Sequence, residues 1–232
     1  PRELFDLSSA TLEDVPAIGA KAAQLGVLSR ITAVSGSCMG PIATPEDAFG
    51  IPVSFYLDHF EASGARAYLA NAMLRDDFAV DTRVRAEVLA EVRQMVLEHS
   101  VDPLILELIE EAVRSRYGNE RVRFRSSSNV EDLSEFSGAG LYTSASAELS
   151  DPSLSVEDAL RIVWASLWNH RAFEERERGH IDQDAVAMGV LVHAAFRSEL
   201  ANGIGVSRNV LDLPRGDIYY FNVQIGEAGV AN

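Results

Sequence analysis

The sequence has a single cysteine, Cys38, among its 232 residues. One cysteine cannot form an internal disulfide, which favours a reducing compartment over secretion, and we expect a cytoplasmic location. No apolar run is long enough to cross a bilayer, and no stretch has the features of a signal peptide. The sequence therefore predicts no membrane partner.

Basic residues are scarce relative to acidic ones. The chain has 20 lysines and arginines but 35 aspartates and glutamates, which gives a formal net charge of −15 and a pI near 4.7. This balance argues against a general nucleic-acid partner or an anionic membrane, because both bind basic surfaces. It leaves room for a small anionic ligand, since charges farther than about 10 Å are screened at physiological salt.

Several common catalytic motifs are missing. The five histidines and one cysteine show no spacing of zinc ligands. Lys21 follows Gly-Ala without a long glycine loop before it or a Ser/Thr after it, so there is no Walker motif. The sequence also lacks a dinucleotide-binding fingerprint and a G-x-S-x-G nucleophile elbow. These absences exclude the simplest zinc, P-loop and serine-hydrolase hypotheses.

Apolar periodicity predicts helices in the first half of the chain and a mixed β-sheet with flanking helices in the second. The predicted fold class is α/β (α+β), with one large or two small domains. Helices are expected at 18–31, 53–70, 82–99, 102–118 and 155–179, and strands at 121–127, 185–196, 203–209 and 217–226. The chain begins at Pro1 rather than Met, and we expect it to be a piece of a longer protein.

The segment 121–144, RVRFRSSSNVEDLSEFSGAGLYTS, is the most unusual part of the sequence. A basic strand leads into serines, two acids and a turn of small residues. Hydroxyls and glycine-rich backbone amides can bind phosphate oxygens, although an ordinary surface loop is the alternative. The candidate groups are Ser126, Ser127, Ser128, Ser137 and Ser144, with the amides of Gly138, Ala139 and Gly140.

Three charged residues outside the small-residue turn fit the same chemistry. Arg125 ends the strand, where a guanidinium can bind an oxyanion through two hydrogen bonds. Lys21 lies near a helix start, and Glu227 follows a strand and could ligate Mg²⁺ on a phosphate chain. Each has an ordinary alternative, namely a surface ion pair, a solvated helix lysine and a turn acid. Together they are the residue types that phosphoryl transfer needs, because that reaction depends on positioning the phosphates and neutralising their charge.

The segment FRSSSNVEDLSEFSGAGLYTS resembles the signature of the pyruvate phosphate dikinase family's N-terminal domain, an ATP-grasp-like PEP/pyruvate-binding domain. Phosphoenolpyruvate synthases, glucan water dikinases and rifampicin phosphotransferases share this domain. Further segments agree in the same order, namely IGAKAAQLGVL, VWASLWNHRAFEERERGHID, VAMGVLVHAAFRSELANGIGVSRN and NVQIGEAGV. The resemblance implies two lobes, a Lys-bearing lobe over 1–120 and a second lobe over 121–232 that is truncated at its C-terminus.

The resemblance also implies roles for individual residues. Lys21 and Arg125 correspond to the catalytic lysine and arginine that contact the phosphates of ATP, and Glu227 corresponds to the acid that holds Mg²⁺. The small-residue loop over the phosphates and the strand beside adenine supply the other cofactor-binding positions, Ser137, Gly138, Ala139, Gly140, Ser144 and His193. Glu131 and Asp132 are expected to brace the loop rather than to act as a catalytic acid pair.

The implied function is that of an ATP-binding domain in a dikinase. ATP·Mg²⁺ would phosphorylate a histidine on a separate swivelling domain, and the partners would be the phosphohistidine and PEP/pyruvate domains of the same longer protein. The isolated chain is not expected to complete a turnover. Two alternatives remain open: a non-catalytic ATP-sensing or partner-binding relic of the fold, and a glucan-water-dikinase-like or drug phosphotransferase. His193 stands where most members have Gln, which favours the relic.

Overall fold

The computed structural model describes residues 3–31, 43–133, 136–138, 140–196, 199–206 and 218–226. The chain forms two compact units, Pro1–Ala195 and Phe196–Asn232. The lobe boundary predicted at residue 120 lies inside the first unit, and the division into lobes stays a prediction. No helix in the described ranges is long and apolar enough to cross a membrane.

The first unit contains a five-stranded antiparallel sheet with the strand order β1-β2-β7-β3-β6. Strand β7 is central, and β3 pairs with it along the whole length of β3, whereas β6 pairs only with residues 122–124 of β3. A separate short hairpin, β4 and β5, follows β3. The strand bounds are Phe5–Asp6, Phe49–Ile51, Val122–Ser128, Asp132–Leu133, Phe136–Ser137, Ala145–Ala147 and Met188–Ala194 for β1 to β7.

Nine helices are defined within the described residues, together with four short 3-10 turns. Helices α1 to α9 span Val15–Ile18, Ala20–Ser29, Val53–Ala62, Ala65–Met73, Asp76–Val80, Thr82–Glu98, Pro103–Tyr117, Val156–Ala165 and His170–Arg178. The mixture of helices and an antiparallel sheet confirms the predicted α+β class. The mixed sheet expected from the sequence is wrong for the described residues, because every strand pair among them is antiparallel. The helices expected at 18–31, 53–70, 82–99 and 102–118 are present, although a turn at residues 63–64 divides the second into α3 and α4.

Helix α7 shows how local sequence sets an element's limits. The Asp102 side chain accepts a hydrogen bond from the Leu104 amide, and Pro103 occupies the first turn, where its missing N–H costs nothing. Gly118 ends the helix with a φ of 60°, a conformation that favours glycine. These bounds agree with the sequence prediction for 102–118.

The single long helix predicted over 155–179 is wrong. It is divided into α8, a 3-10 turn at Ser166–Trp168, and α9. Asn169 has a non-helical backbone, with a ψ of 132°, and its side-chain amide donates to the Leu141 carbonyl oxygen at 3.0 Å. The break also lets the Trp168 indole N–H donate to the buried Tyr56 hydroxyl at 3.0 Å. Tertiary hydrogen bonds therefore override a continuous helical pattern.

The sheet buries apolar residues on both faces. The larger core lies between the sheet and helices α3 to α8 and contains the fully buried aromatic residues Phe49, Phe55, Tyr56, Phe124, Trp164 and Trp168. A smaller core forms under α2 on the other face and contains Leu7, Ala10, Ile18, Ala22, Ala23 and Leu191. Helix α2 covers only part of that second face, and the candidate site lies beside it.

The second unit contains an antiparallel hairpin of β8, Ala201–Val206, and β9, Tyr220–Ile225. The strands predicted at 203–209 and 217–226 correspond to these two elements, and the strand predicted at 185–196 corresponds to β7. Strands β1, β2, β4, β5 and β6 were not predicted, because two or three residues carry too little periodicity to be recognised.

Candidate functional site

A glycine turn brings the start of α2 against the end of β3. Gly19 has a φ of 79° and separates α1 from α2. A Cβ at this position would lie 1.7 Å from the Ser127 carbonyl oxygen, so no larger residue fits. The Ala22 amide donates to the Ser127 hydroxyl at 3.0 Å, which fixes the helix start on the strand. The sequence prediction of a glycine turn before this helix is confirmed.

This turn places Lys21, which is the only lysine in the chain, at the end of β3. Its ammonium donates to the Ser126 carbonyl oxygen at 3.0 Å and forms an ion pair with Glu131. The Lys21 side chain retains 28% of its exposure, whereas the Glu131 side chain retains 4%. Lys21 is therefore a held, half-exposed cation rather than a freely solvated helix lysine.

Glu131 connects the lysine to the loop that follows β3. One carboxylate oxygen, Oε2, accepts a hydrogen bond from the Ser128 amide at 3.4 Å, and the Glu131 carbonyl accepts one from the Gly138 amide at 2.7 Å. A Cβ on Gly138 would lie 2.6 Å from Glu131 Cγ, so this close approach requires glycine. The expectation that Glu131 braces the loop is confirmed, and the Asp132 side chain lies outside the described part of the structure.

Arg125 lies on the face of the sheet that α2 leaves open. Residues 123, 125 and 127 of β3 alternate onto the same face, and Ser127 is bonded to α2. Arg125 is exposed, whereas Arg123 is half-buried and donates to the Ser146 hydroxyl of β6 at 3.0 Å. Burial and the neighbouring charge of Arg125 lower the pKa of Arg123. The open face thus concentrates positive charge within an acidic chain.

His193 is directly opposite Arg123 in the β3–β7 register, so both side chains share this face. The imidazole is buried, and its Nδ1 donates to the Ala194 carbonyl oxygen at 2.7 Å, because a carbonyl can only accept. Burial lowers the pKa of His193, and the charges of Arg125 and Arg123 lower it further against the opposing effect of the Ala194 bond. The neutral form is therefore favoured, with Nε2 as an acceptor.

The other predicted site residues are only partly described. Gly140 has a φ of 72° and is exposed, and Ser144 is half-buried immediately before β6. Ser137 belongs to β5, where it pairs with Asp132, and Gly138 contacts Glu131. Ala139 and Glu227 lie outside the described residues. No contact tests the predicted roles of these positions in ligand or metal binding, which stay predictions.

Sequence reasoning missed how Lys21 is held. The Lys21–Glu131 pair joins residues 110 positions apart, and no local pattern reports such a distance. The sequence contains one partial indication of this pair: Glu131 is an acid among serines and glycines, a setting in which a carboxylate often has a structural partner. Across the described residues, no three His, Cys, Asp or Glu side chains are grouped as metal ligands would be.

Comparison with known proteins identifies a family and several relatives. Residues 8–228 match the family described as "Pyruvate phosphate dikinase, AMP/ATP-binding domain". The chain is 28% identical over 200 residues to the phosphoenolpyruvate synthase of Escherichia coli (strain K12), covering 82% of this chain and 23% of that protein. It is 31% identical over 203 residues to the phosphoenolpyruvate synthase of Pseudomonas aeruginosa (strain UCBPP-PA14), covering 84% of this chain and 24% of that protein.

A third relative is the probable phosphoenolpyruvate synthase of Methanothermobacter thermautotrophicus. It is 30% identical over 200 residues, which cover 82% of this chain and 26% of that protein. The chain thus spans about a quarter of the length of these curated relatives. The family match covers nearly the whole chain and includes the Lys21 turn, strand β3 and the loop after it. The chain therefore belongs to the pyruvate phosphate dikinase family, as its AMP/ATP-binding domain.

Proposed function

We propose that this chain binds ATP through its phosphate chain, as the nucleotide-binding part of a longer phosphotransferase. Lys21 and Arg125 contact and neutralise the phosphates, and the segment 137–144 covers them. The phosphoryl group then passes to a histidine on a separate domain, as in a phosphoenolpyruvate synthase or pyruvate phosphate dikinase. In this proposal the chain has an ATP-grasp-like, two-lobed arrangement, with the small-residue loop in the second lobe.

The observation that carries this proposal is the position of the only lysine. The Gly19 turn brings the Lys21 ammonium to the Ser126 carbonyl. The preceding residue, Arg125, is exposed on the open face of the sheet. A compact ammonium and a planar guanidinium at the end of one strand suit an anion with several oxygens. Two cations at one strand end of a chain with a net charge of −15 are a local feature that suits an anionic ligand.

The described residues fit the phosphate part of ATP. Phosphate oxygens need cations and N–H donors, and the exposed Arg125 and the half-exposed Lys21 supply them. Bound Mg²⁺ would neutralise charge on the phosphates and orient them for transfer. The proposed magnesium ligand is Glu227. Lys21 and Arg125 would bind and orient the phosphate chain, and His193 would lie beside the nucleotide base.

A second candidate function is an ATP-sensing or partner-binding module without phosphoryl transfer. It is favoured by His193, because a buried neutral imidazole presents one acceptor where a glutamine amide presents an acceptor and two donors. The two candidates differ in the rest of the protein. A downstream histidine-bearing segment that becomes phosphorylated from ATP supports transfer. A full-length protein that binds ATP without forming phosphohistidine supports the sensing module.

The test is isothermal titration of the full-length protein and of this 232-residue chain with ATP, with and without Mg²⁺. Lys21→Met and Arg125→Gln are each expected to weaken binding by about tenfold or more, the scale of one charge-assisted hydrogen bond. Arg121→Gln is the matched control, because Arg121 precedes the same strand but pairs with Glu148 at 3.1 Å. Equal affinities in the wild type and both site variants would overturn the site assignment.

A further inference from the structure

We propose that Glu131 is a positioning residue that holds the Lys21 ammonium in place for the phosphate chain and couples it to the loop after β3. This inference rests on the proposed ATP site and adds to it a residue that has so far been described only as a brace of the loop. Glu131 does not contact the ligand in this proposal. It acts through Lys21, through the Ser128 amide and through Gly138.

The geometry at the end of β3 supports this role. Strand β6 pairs with β3 only as far as Phe124, and within the described residues no strand continues beside Ser126 and Ser128 on that side. The Ser126 carbonyl and the Ser128 amide instead bond to Lys21 and Glu131 respectively. The ion pair therefore replaces a missing strand partner, and the lysine is fixed relative to the backbone that follows Arg125.

The hydrogen-bonding capacity of the ammonium leaves room for a ligand. A lysine ammonium has three N–H donors, and the Ser126 carbonyl and the Glu131 carboxylate account for two of them among the described residues. The third donor, on a side chain with 28% exposure, can point to a phosphate oxygen. A freely rotating lysine would lose more side-chain entropy on binding than one already held by two acceptors.

The burial of Glu131 makes the pairing obligatory rather than incidental. Its side chain is only 4% exposed, and an isolated buried carboxylate is costly unless it is paired and hydrogen-bonded. Lys21 is the only lysine in the sequence, so no other ammonium can replace it. Any movement of the Gly138 turn also moves Glu131, because the Gly138 amide is bonded to the Glu131 carbonyl at 2.7 Å. Loop position and lysine position are thus linked by one residue.

The experiment compares the wild type with Glu131→Gln, Lys21→Met and the double variant. ATP affinity is measured by titration calorimetry. The lysine is observed by NMR after ¹⁵Nζ labelling, which gives one side-chain signal because the chain has one lysine. Glu131→Gln is expected to weaken ATP binding by about tenfold in the wild-type background, since a neutral amide replaces a charge-assisted partner. It should weaken binding less than about twofold in the Lys21→Met background, because coupled residues are not additive.

The NMR signal separates positioning from a general structural effect. The Lys21 ¹⁵Nζ resonance should shift and exchange faster with water in Glu131→Gln, and it should stay unchanged in Glu148→Gln. Glu148 is the matched control because it pairs with Arg121 beside the same strand. If Glu131→Gln fails to fold, Glu131→Asp keeps the charge, and it should retain the Lys21 signal with a smaller loss of affinity.

Two results would overturn the inference: an unchanged Lys21 resonance in Glu131→Gln, or the same loss of ATP affinity in both backgrounds. Failure of the wild type to bind ATP would instead overturn the proposed function. In that case the Lys21 resonance still reports whether Glu131 holds the ammonium. The two failures are therefore distinguishable within one set of samples.

Discussion

Gly19 and the Ser127 carbonyl are so close that a Cβ on Gly19 would lie 1.7 Å from the carbonyl oxygen. Gly19 also has a φ of 79°, which residues with a side chain rarely adopt. Together with the hydrogen bond from the Ala22 amide to the Ser127 hydroxyl, this contact sets the distance between α2 and β3. It therefore sets the distance between Lys21 and the strand that carries Arg125.

Gly19→Ala is expected to lower the free energy of unfolding by about 3 kcal/mol, because it combines backbone strain with a steric clash against main chain. Urea unfolding followed by circular dichroism measures this change. The control is Gly64→Ala, which shares a φ of 75° but meets only Met95 at 3.4 Å. That variant should cost about 1 kcal/mol, from strain alone. Similar losses in the two variants would contradict the importance of the close approach.

Arg176 is expected to be irreplaceable by lysine. Its guanidinium is fully buried and donates to the Gln183 side chain at 2.8 Å and to the Leu167 carbonyl at 2.9 Å, and burial lowers its pKa. A lysine cannot reproduce this planar arrangement, so Arg176→Lys should lower the free energy of unfolding by about 3 kcal/mol. Arg178→Lys, at an exposed position on the same helix, should change it by less than about 0.5 kcal/mol. Equal effects measured by urea unfolding would contradict this account.

The protein is expected to lose stability as the pH falls below about 6.5, partly because of His59. Burial lowers the pKa of His59, the charges of His99 and Arg161 lower it further, and the Val96 hydrogen bond and Glu157 oppose the shift. The unfolded chain then binds the proton first, so stability is constant above the unfolded pKa and falls as the pH drops toward the lowered folded pKa. One such group contributes at most about 1.4 kcal/mol per pH unit.

The check is the pH dependence of urea unfolding between pH 7.5 and 5.5. His59→Gln keeps a donor for the Val96 carbonyl, which His59 Nε2 contacts at 2.9 Å, but it cannot titrate. This variant should show a shallower loss of stability over that window. His180→Gln, at an exposed side chain with a φ of 53°, should keep the wild-type slope, whatever its effect on stability at pH 7.5. A wild-type slope in His59→Gln would rule out His59 as a source of the pH dependence.

Tyr56→Phe is expected to lower the free energy of unfolding by about 2 kcal/mol, because it leaves the buried Trp168 indole N–H without its acceptor. Burial raises the pKa of Tyr56, so its hydroxyl stays neutral and available as an acceptor. The near-ultraviolet circular dichroism of the tryptophans should change as well. Tyr68→Phe, at a side chain with 38% exposure, is the control and should leave both measurements unchanged. A Tyr56→Phe variant as stable as the wild type would show that another acceptor reaches Trp168.

Local sequence was sufficient to predict most helices and the longer strands. Asp102, Pro103 and Gly118 delimit α7 through interactions within a few residues, so their pattern is readable without the fold. The break at Asn169 was not readable, because it depends on the Leu141 carbonyl 28 residues away. Short strands were missed for a related reason, since their pairing partners are distant in sequence.

The sequence was sufficient to nominate the residues of the candidate site, but not the contacts that hold them in place. The phosphate-binding roles of Lys21 and Arg125 were inferred from residue type and from the resemblance to a family, and they stay predictions. Their support could not be inferred, because the Lys21–Glu131 pair and the Arg123–Ser146 hydrogen bond join separate elements. Burial decides which acid supports the lysine, and burial is a property of the folded chain rather than of the segment.

The unfinished pairing between β3 and β6 also bears on self-association. An unpaired strand edge is a template for another chain, and proteins protect such edges with charged side chains, most often lysine. Beyond Phe124 the backbone of β3 is covered by the Lys21–Glu131 pair rather than by a neighbouring strand of the described sheet. Removing the lysine therefore takes away a barrier to intermolecular strand addition. The solubility and the monomer fraction of Lys21 variants would measure this protection of the β3 edge, and neither measurement needs a nucleotide.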